Sequence, residues 1–312
     1  MFPNNSKPIL QIKNLSVAFT QYERGLRQID LKVIRNLNVS VREGELVAVV
    51  GSSGSGKSLL AHAVLGILPH NCNATGDIWF EDELLSPERI EELRGKKIVL
   101  VPQSVTYLDP LEKVGKQVRR GRNEASVRKK QEDLFAYYKL PQNTGDLYPF
   151  ELSGGMARRV LLTTAMIESP RLIVADEPTP GLHLEAAKKA MRHFREFADQ
   201  GNGVLLVTHD IELALEVADK IAVFYAGTTV EEAPAADFQA VDTLRHPYTK
   251  ALWRALPQNG FHPFPGNQPY VKAMPTGCPF APRCPQLTPE CEAGDIEEQT
   301  IRFGTVRCIH AK

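Results

Sequence analysis

A glycine-rich segment early in the sequence has the residue types and spacing that bind a nucleoside triphosphate. It matches the pattern G-x-x-x-x-G-K-[ST] at every position: Gly51, Ser52, Ser53, Gly54, Ser55, Gly56, Lys57 and Ser58. Because glycine has no Cβ atom, backbone N–H groups there can approach phosphate oxygens closely. The Lys57 ammonium suits the outer phosphates, and the Ser58 hydroxyl suits a bridging Mg²⁺ ion. A strand predicted at Leu46–Val50 and a helix predicted at Leu59–Leu68 flank this phosphate loop, which argues against a chance turn.

Other buried strands are predicted to end in polar side chains that suit the same chemistry. Three apolar runs have such ends: Gln103 follows Ile98–Val101, Asp176-Glu177 follows Leu172–Ala175, and His209 follows Val204–Val207. Gln103 and Asp176 suit the coordination of Mg²⁺, and Glu177 can activate a water molecule as general base. On its own, Gln103 is also compatible with a capping amide in a turn, and His209 is also compatible with a structural histidine. Ligands of an open α/β sheet bind at the carboxyl ends of its strands, so the recurrence predicts one shared site.

Two weaker signals add to this nucleotide site. Ser153, Gly154 and Gly155 precede a helix predicted at Ala157–Ile167, where free N–H groups and a hydroxyl suit a second anion. Because glycine pairs also mark ordinary turns, this signal is weak on its own. Phe19 is predicted to end a strand upstream of the phosphate loop, where it either stacks on a nucleobase or packs on the core.

Length and composition are those of an ordinary globular protein. The 312 residues suggest two domains, and 37 Lys and Arg residues balance 37 Asp and Glu residues. Zero net charge gives no overall attraction to nucleic acid or anionic lipid. We find no apolar stretch long enough to span a bilayer, and Met1–Ser6 is polar rather than a signal peptide. The sequence therefore predicts a cytoplasmic protein that reaches a membrane only through a partner.

The predicted elements form an α/β core around the phosphate loop. Residues 8–50 predict an antiparallel β layer of short strands with a polar loop at Thr20–Gln28. The strand signal disappears between Glu112 and Met166, which predicts a helical insertion. Its basic stretch Lys113–Lys130 has no interleaved aromatic residues, so we interpret it as a solvated helical face rather than a nucleic-acid site. Ile221–Tyr225 is predicted to be the last strand of the core.

Together these motifs resemble those of the ATP-binding subunit of an ABC transporter. Five segments occur in that family's order between about Ile9 and Ala233: the phosphate loop as Walker A, Gln103 as the Q-loop, Leu152–Met156 as the signature, Leu172–Glu177 as Walker B with the catalytic glutamate, and His209 as the switch histidine. Phe19 falls where the family places its base-stacking aromatic. The resemblance implies a RecA-like P-loop ATPase core with ATP and Mg²⁺ as cofactors. It also implies that Ser58, Gln103 and Asp176 hold the Mg²⁺ ion.

The tail narrows the resemblance to the peptide/nickel group of ABC importers. His246–Leu252 and Gly277–Pro285 are similar to the C-terminal extension of that group. We therefore expect three regions: a nucleotide-binding domain at 1–245, a helical subdomain within it at about 104–166, and a cysteine-containing extension at 246–312. The chain departs from the family at His183, where aspartate is usual, and we expect this change to affect communication between two nucleotide sites.

Four of the five cysteines lie in the tail, at Cys278, Cys284, Cys291 and Cys308. In a cytoplasmic chain such clustering favours metal or cluster ligation over disulfides. The spacing C-x5-C-x6-C-x16-C is not a standard zinc-finger pattern, and the neighbouring prolines resemble iron–sulfur surroundings. Some members of the resembled group carry a [4Fe–4S] cluster in this extension. Zinc and unligated thiols remain the alternatives.

The resemblance implies a subunit that powers uptake of peptides, nickel or metal chelates. In that family two cassettes close head to tail around ATP, so that the signature of one completes the nucleotide site of the other. The implied partners are a second, distinct ATPase subunit, two membrane permeases and, indirectly, a solute-binding protein, with no nucleic acid. The implied location is the cytoplasmic face of the inner (plasma) membrane, peripherally bound.

Two other classes of function stay open on sequence alone. One is an ABC-type ATPase that acts on nucleic acid or as an accessory of a soluble multi-subunit complex. A long heptad arm and a second cassette, which would favour nucleic acid, are absent from the sequence. The other is a soluble P-loop kinase, which would not need Ser153-Gly154-Gly155. Nucleotide-dependent dimerisation would distinguish a transport cassette from a kinase.

Overall fold

The computed structural model describes residues 7–24, 26–52 and 54–312. Met1–Ser6, Gly25 and Ser53, which belong to the predicted polar N-terminus, the loop Thr20–Gln28 and the phosphate loop, lie outside the described residues. The helices are α1 (Lys57–Val64), α2 (Pro87–Leu93), α3 (Val114–Val118), α4 (Ala125–Tyr137), α5 (Gly154–Met166), α6 (Leu184–Asp199), α7 (Ile211–Leu215) and α8 (Pro247–Arg254). The strands are β1 (Pro8–Arg24), β2 (Arg27–Arg42), β3 (Leu46–Gly51), β4 (Cys72–Phe80), β5 (Glu83–Leu84), β6 (Ile98–Val101), β7 (Leu172–Asp176), β8 (Gly203–Thr208), β9 (Lys220–Tyr225), β10 (Thr228–Pro234), β11 (Gln299–Ile301) and β12 (Gly304–Val306).

A large mixed sheet forms the centre of the molecule, with the strand order β11-β12-β10-β9-β3-β8-β7-β6. Its strands from β9 to β6 are parallel. Every residue of β3, β7 and β8 is buried, because apolar layers cover both faces of the sheet. Val47 and Val49 pack toward β1, β2 and α1, whereas Ala48 and Val50 pack toward α5 and α6. The predicted α/β fold is confirmed.

The antiparallel layer has the strand order β2-β1-β4-β5, and its first two strands are longer than predicted. β1 and β2 form one hairpin, and the predicted loop Thr20–Gln28 continues its ladder to the turn. There the Gln28 side-chain amide donates a hydrogen bond of 3.0 Å to the Tyr22 hydroxyl. β2 also runs on through Asn36, whose φ of 44° marks the irregularity that made one strand resemble two. Phe19 therefore lies inside β1 rather than at its end.

Between β6 and β7 lie α3, α4 and α5, in the region of the predicted helical insertion. Val114, Val118 and Phe135 are buried and join the core cluster that also holds α5 and α6. The α6 helix buries one face, which includes Phe194 and Phe197. No helix within the described ranges is long and apolar enough to cross a bilayer.

The main sheet continues beyond β9 with β10 and with two strands of the tail, so the prediction that Ile221–Tyr225 is the last core strand is wrong. β10 pairs with β9, β12 pairs with β10, and β11 pairs with β12. Fully buried Arg245 ties this edge together, with Nη1 3.2 Å from Glu231 Oε1 and Nη2 2.8 Å from Asp237 Oδ2. Its Nε also donates to the Ile301 carbonyl at 2.8 Å. A buried guanidinium needs such partners, and they bind the tail to the nucleotide-binding core.

One carboxyl group on β10 ionises with difficulty. Burial raises the pKa of Glu232 to about 7, although Lys220 lies 3.6 Å away and opposes the shift. Glu45 and Glu298 add to the increase through their negative charges. Between the ordinary pKa of 4.5 and 7, the folded chain therefore holds a proton that the unfolded chain has lost. The free energy of unfolding consequently falls as the pH rises through this window.

We expect Glu232→Gln to remove this pH dependence, because the amide keeps the size of the side chain and does not ionise. The gain over the wild type above pH 7 should be on the order of 1–3 kcal/mol. Thermal unfolding of both proteins between pH 5 and 8 measures it, with the exposed position Glu91→Gln as the matched control. If the melting temperatures of the wild type and Glu232→Gln changed with pH in parallel, the raised pKa of Glu232 would be contradicted.

Candidate functional site

The phosphate loop connects β3 to α1 and encloses the Lys57 side chain. The Lys57 Nζ donates to the Gly51 carbonyl at 2.8 Å and to the Ser52 carbonyl at 2.9 Å. Burial lowers the pKa of Lys57, and the negative charges of Glu177 and Asp176 oppose that shift. A Cβ at position 51 would stand 2.3 Å from the Phe224 carbonyl oxygen, so β9 packs too closely for any residue but glycine.

Ser58 and Asp176 come together where a Mg²⁺ ion is expected. The Ser58 hydroxyl donates to Asp176 Oδ1 at 3.1 Å, joining the first turn of α1 to the end of β7. Two ligands in adjacent positions of an octahedron with bonds of about 2.0–2.1 Å lie about 2.9 Å apart. Burial raises the pKa of Asp176, whereas the Ser58 hydrogen bond lowers it. The pair therefore has the chemistry and spacing to hold Mg²⁺, which in turn favours the charged carboxylate.

Glu177 and His209 form a second pair at the same edge of the sheet. Glu177 Oε2 lies 2.7 Å from His209 Nδ1, although the two residues follow different strands. Glu177 has a φ of 46°, unusual for a residue with a side chain, and its N–H donates to the Val207 carbonyl at 2.9 Å. Glu177 is buried, whereas 57% of the His209 side chain is exposed. The pair thus joins a buried carboxylate to an imidazole that faces the solvent.

Gln103 follows β6 at this edge, and a residue that the sequence analysis missed holds its backbone. The Gln103 side chain is exposed, and its carbonyl accepts a hydrogen bond from the Arg158 guanidinium. Arg158 Nη1 also donates to the Pro102 carbonyl at 2.8 Å. Arg158 is buried in α5, the helix that Ser153-Gly154-Gly155 begins. One guanidinium therefore links two of the predicted motifs, and only its position directly after the signature could have indicated this.

The structure does not bring the Ser153-Gly154-Gly155 segment to the phosphate loop. The Ser153 hydroxyl caps α5 by accepting from the Met156 N–H at 3.3 Å, and the side chain is exposed. Among the residues that the structure describes, no hydrogen bond joins this segment to the loop of its own chain. His183 has a similar capping role, since its Nδ1 accepts from the Ala186 N–H at 3.3 Å at the start of α6. At this N-cap position the histidine ring nitrogen provides the hydrogen-bond acceptor that an aspartate carboxylate would supply.

The other predicted nucleotide residues have different outcomes. Phe19 pairs with Leu31 and Cys72 in the antiparallel sheet and is half-buried, so its role in base stacking stays a prediction. Ser55 and Gly56 belong to the described part of the loop, and Gly56 has a φ of 100° at the N-terminus of α1. Ser53 lies outside the described residues.

The tail cysteines converge, although they lie far apart in the sequence. Cys278, Cys284, Cys291 and Cys308 line one small cavity together with His246 and His310. The pKa of Cys278 is raised to about 11, mainly by burial and in part by the negative charges of the other three thiols. All five cysteines of the chain are free thiols. In the described ranges, no three His, Cys, Asp or Glu side chains are arranged to hold a metal ion.

Two family profiles match this chain. Residues 34–180 match the family described as ABC transporter, which covers the phosphate loop and the Asp176-Glu177 pair. Residues 230–291 match the family described as oligopeptide/dipeptide transporter, C-terminal region. The second match begins in β10 and extends through Cys291.

Curated relatives match nearly the whole chain. The oligopeptide transport ATP-binding protein OppD of Salmonella typhimurium is 33% identical over 309 residues, which cover 93% of this chain and 90% of OppD. The dipeptide transport ATP-binding protein DppD of Escherichia coli is 35% identical over 307 residues, which cover 91% of each chain. The peptide transport system ATP-binding protein SapD of Salmonella typhimurium is 33% identical over 313 residues, with 91% of this chain and 92% of SapD covered.

Solved structures match the core of the fold. The ATP-binding cassette MJ0796 has been solved as a dimer in a post-hydrolysis state with ADP and Pi. It is 27% identical to this chain with a TM-score of 0.62, and the match covers 72% of this chain and 98% of the cassette. A second dimeric structure of the same bacterial ABC transporter cassette matches equally well.

Proposed function

This chain belongs to the ATP-binding subunits of ABC transporters with an oligopeptide/dipeptide C-terminal region, and from this membership we propose that it drives peptide uptake through a membrane permease. The observation that carries the proposal is the edge of the main sheet, where the phosphate loop, the Ser58–Asp176 pair and the Glu177–His209 pair meet. These groups have the arrangement needed to position a triphosphate and a water molecule.

Peptides are the cargo that the relatives support. OppD, DppD and SapD are named for oligopeptide, dipeptide and peptide transport. Nickel and metal chelates, which the sequence analysis also expected, have no counterpart among these three. Because selectivity belongs to permease and solute-binding subunits, the cargo has to be tested on the assembled complex.

For hydrolysis we propose the following roles. Lys57 and the loop N–H groups bind the triphosphate, and Ser58 and Asp176 hold Mg²⁺, which neutralises developing charge when it is bound. Gln103 is assigned to the metal or the attacking water. Glu177 accepts the proton of that water as general base, and His209 holds the Glu177 carboxylate in place through the 2.7 Å contact. The remaining phosphate-loop positions, Ser53 included, contribute backbone donors.

ATP is proposed to join two cassettes head to tail. In this chain the exposed Ser153-Gly154-Gly155 segment has no contact with its own phosphate loop among the described hydrogen bonds, so it is available to a second subunit. The dimeric structures of the MJ0796 cassette support the pairing of two cassettes. Closure would bury the γ-phosphate between a loop of one subunit and a helix N-terminus of the other. A distinct second ATPase chain, as expected from the sequence, remains part of the proposal.

The permease is proposed to dock beside Gln103. Tyr107 and Leu111 follow it and are exposed by 55% and 86%. Exposed apolar side chains at this density suit a helix of a membrane subunit. Arg158 fixes the Pro102 and Gln103 carbonyls, so movement at this surface is transmitted to α5. We propose two permease subunits as partners and the cytoplasmic face of the membrane as the location of the chain.

For the tail we propose that its four cysteines ligate a [4Fe–4S] cluster. Their convergence on one cavity supports this assignment. Among the described residues the side chains are not arranged to hold a metal ion, so ligation requires them to reorient. Ligation also requires deprotonation of thiols whose pKa burial has raised. Anaerobic purification followed by iron and sulfide analysis should yield about four of each per chain. Zinc alone, or neither metal nor sulfide, would overturn the cluster.

Purification of the native complex tests the importer proposal. Mass spectrometry of gently solubilised membranes should identify this chain together with two permeases, a second ATPase and a solute-binding protein. In proteoliposomes the complex should then hydrolyse ATP faster with a peptide-loaded binding protein than with the unloaded protein or with Ni²⁺. A soluble complex without permeases would refute the proposal and favour the accessory ATPase.

A further inference from the structure

The tail reaches the phosphate loop at Ser52. The Ser52 hydroxyl donates a hydrogen bond of 2.9 Å to Oε1 of Gln268, a residue 216 positions further along the chain. The tail therefore contacts a side chain of the phosphate loop directly.

The segment that carries Gln268 is anchored to the body of the protein. Arg283 donates from Nε to the Pro265 carbonyl at 3.0 Å and from Nη2 to the Phe264 carbonyl at 3.2 Å. Its Nη1 lies 3.2 Å from the Tyr225 hydroxyl at the end of β9, the strand beside β3. Three bonds from one guanidinium thus fix the backbone just ahead of Gln268 relative to the central sheet.

The other end of the same segment reaches the β1–β2 hairpin. Lys272 Nζ lies 3.9 Å from Glu23 Oε1, near the end of β1, and the turn Val271–Ala273 packs against β2. This hairpin also carries Phe19, the residue expected to stack on the nucleobase. The stretch Gln268–Lys272, called the strap below, therefore contacts the phosphate loop at one end and the base-side hairpin at the other.

We infer that the strap is part of the nucleotide site and that Gln268 is a positioning residue for the phosphate loop. The inference rests on the proposed function, in which this loop binds ATP. A glycine-rich loop loses conformational entropy when it closes around a triphosphate. A hydrogen bond that restrains the loop before binding makes this loss smaller. The strap holds Ser52 through the side-chain carbonyl oxygen of Gln268.

Variants of the full chain test the strap by nucleotide affinity. We expect Gln268→Ala and Ser52→Ala each to raise the Kd for ATP by about 3- to 10-fold, the effect of one lost hydrogen bond. The double variant should match either single variant, because both remove the same bond. A fluorescent ATP analogue, displaced by unlabelled ATP, measures these values, and Gln258→Ala at an exposed tail position is the matched control.

Gln268→Glu separates a role at the nucleotide from a merely structural one. Glutamate keeps an acceptor for Ser52 but adds a negative charge beside the triphosphate. We expect it to raise the Kd for ATP more than that for ADP, and this difference should shrink at high salt. A residue that only stabilises the tail would instead lower the melting temperature of the nucleotide-free chain in Gln268→Ala and leave both Kd values unchanged. That result, or additive single effects, would overturn the inference.

Lys57→Ala in the same assay distinguishes the two levels of failure. If Lys57→Ala binds ATP as well as the wild type, the loop is not the ATP site and the proposed function itself fails. If Lys57→Ala loses affinity while Gln268→Ala and Gln268→Glu do not, only the strap is refuted.

Charge reversal tests the end of the strap that contacts the β1–β2 hairpin. Lys272→Glu should weaken ATP binding, and the pair Lys272→Glu with Glu23→Lys should restore it. Failure of the reversed pair to restore binding would refute the hairpin contact.

Discussion

Replacing Glu177 with glutamine should lower the steady-state rate of ATP hydrolysis by about 10²-fold or more while ATP binding is retained. The amide has nearly the same size and can keep a hydrogen bond with His209, 2.7 Å from the carboxylate in the wild type. It cannot accept the proton of an attacking water. Because binding depends on Lys57 and the loop, the defect should be confined to turnover.

Phosphate release and ATP affinity measure the two halves of this expectation separately. Since hydrolysis would release the paired cassettes, Glu177→Gln should also accumulate as an ATP-bound dimer, visible by light scattering during gel filtration. Glu91→Gln, an exposed carboxylate in α2, is the control and should behave as the wild type. Substantial hydrolysis by Glu177→Gln would remove the general-base assignment and leave binding without an identified base.

Removing the Lys57 ammonium should have the largest effect on ATP binding itself. Hydrogen bonds to charged groups contribute about 1.5–3 kcal/mol, so Lys57→Ala should raise the Kd for ATP by about 10- to 150-fold. Burial lowers the pKa of Lys57, because the charged form loses part of its solvation there. A triphosphate compensates that charge, and an uncharged ligand does not.

Adenosine therefore provides the internal comparison for Lys57→Ala. The variant should lose affinity for ATP but not for adenosine, as measured by displacement of a fluorescent analogue and by the ligand-induced shift of the melting temperature. Lys129→Ala, an exposed lysine in α4, controls for a general loss of positive charge. Unchanged ATP affinity in Lys57→Ala would contradict the assignment of the phosphate loop.

Much of the candidate site could be predicted because parallel strands impose a shared edge. The apolar runs before Gln103, Asp176 and His209 indicated buried strands, and the carboxyl ends of parallel strands lie together. The structure confirms that these runs are adjacent in the sheet. The apolar pattern of each run indicates a buried strand by itself, so the polar residue at its end could be identified without knowledge of distant contacts.

Other features could not be predicted because they depend on contacts between distant parts of the chain. Arg158 belongs to an ordinary helical pattern, and only the fold brings it to the Pro102 and Gln103 carbonyls. β12 was missed because its pairing with β10 joins Val306 to Glu231, far back along the chain. The outer part of the β1–β2 hairpin was missed because polar pairs such as Tyr22 and Gln28 lack apolar alternation.

The sequence by itself determined which chemical groups this protein has and in which order they occur. The phosphate loop, Asp176, Glu177 and His209 are all recognisable there, because strand, turn and helix patterns are local. Only the tertiary structure decided the 3.1 Å and 2.7 Å pairs at the sheet edge and the bond between Ser52 and Gln268. Such distances result from packing the whole core, including a tail that completes the sheet, and no local pattern encodes them.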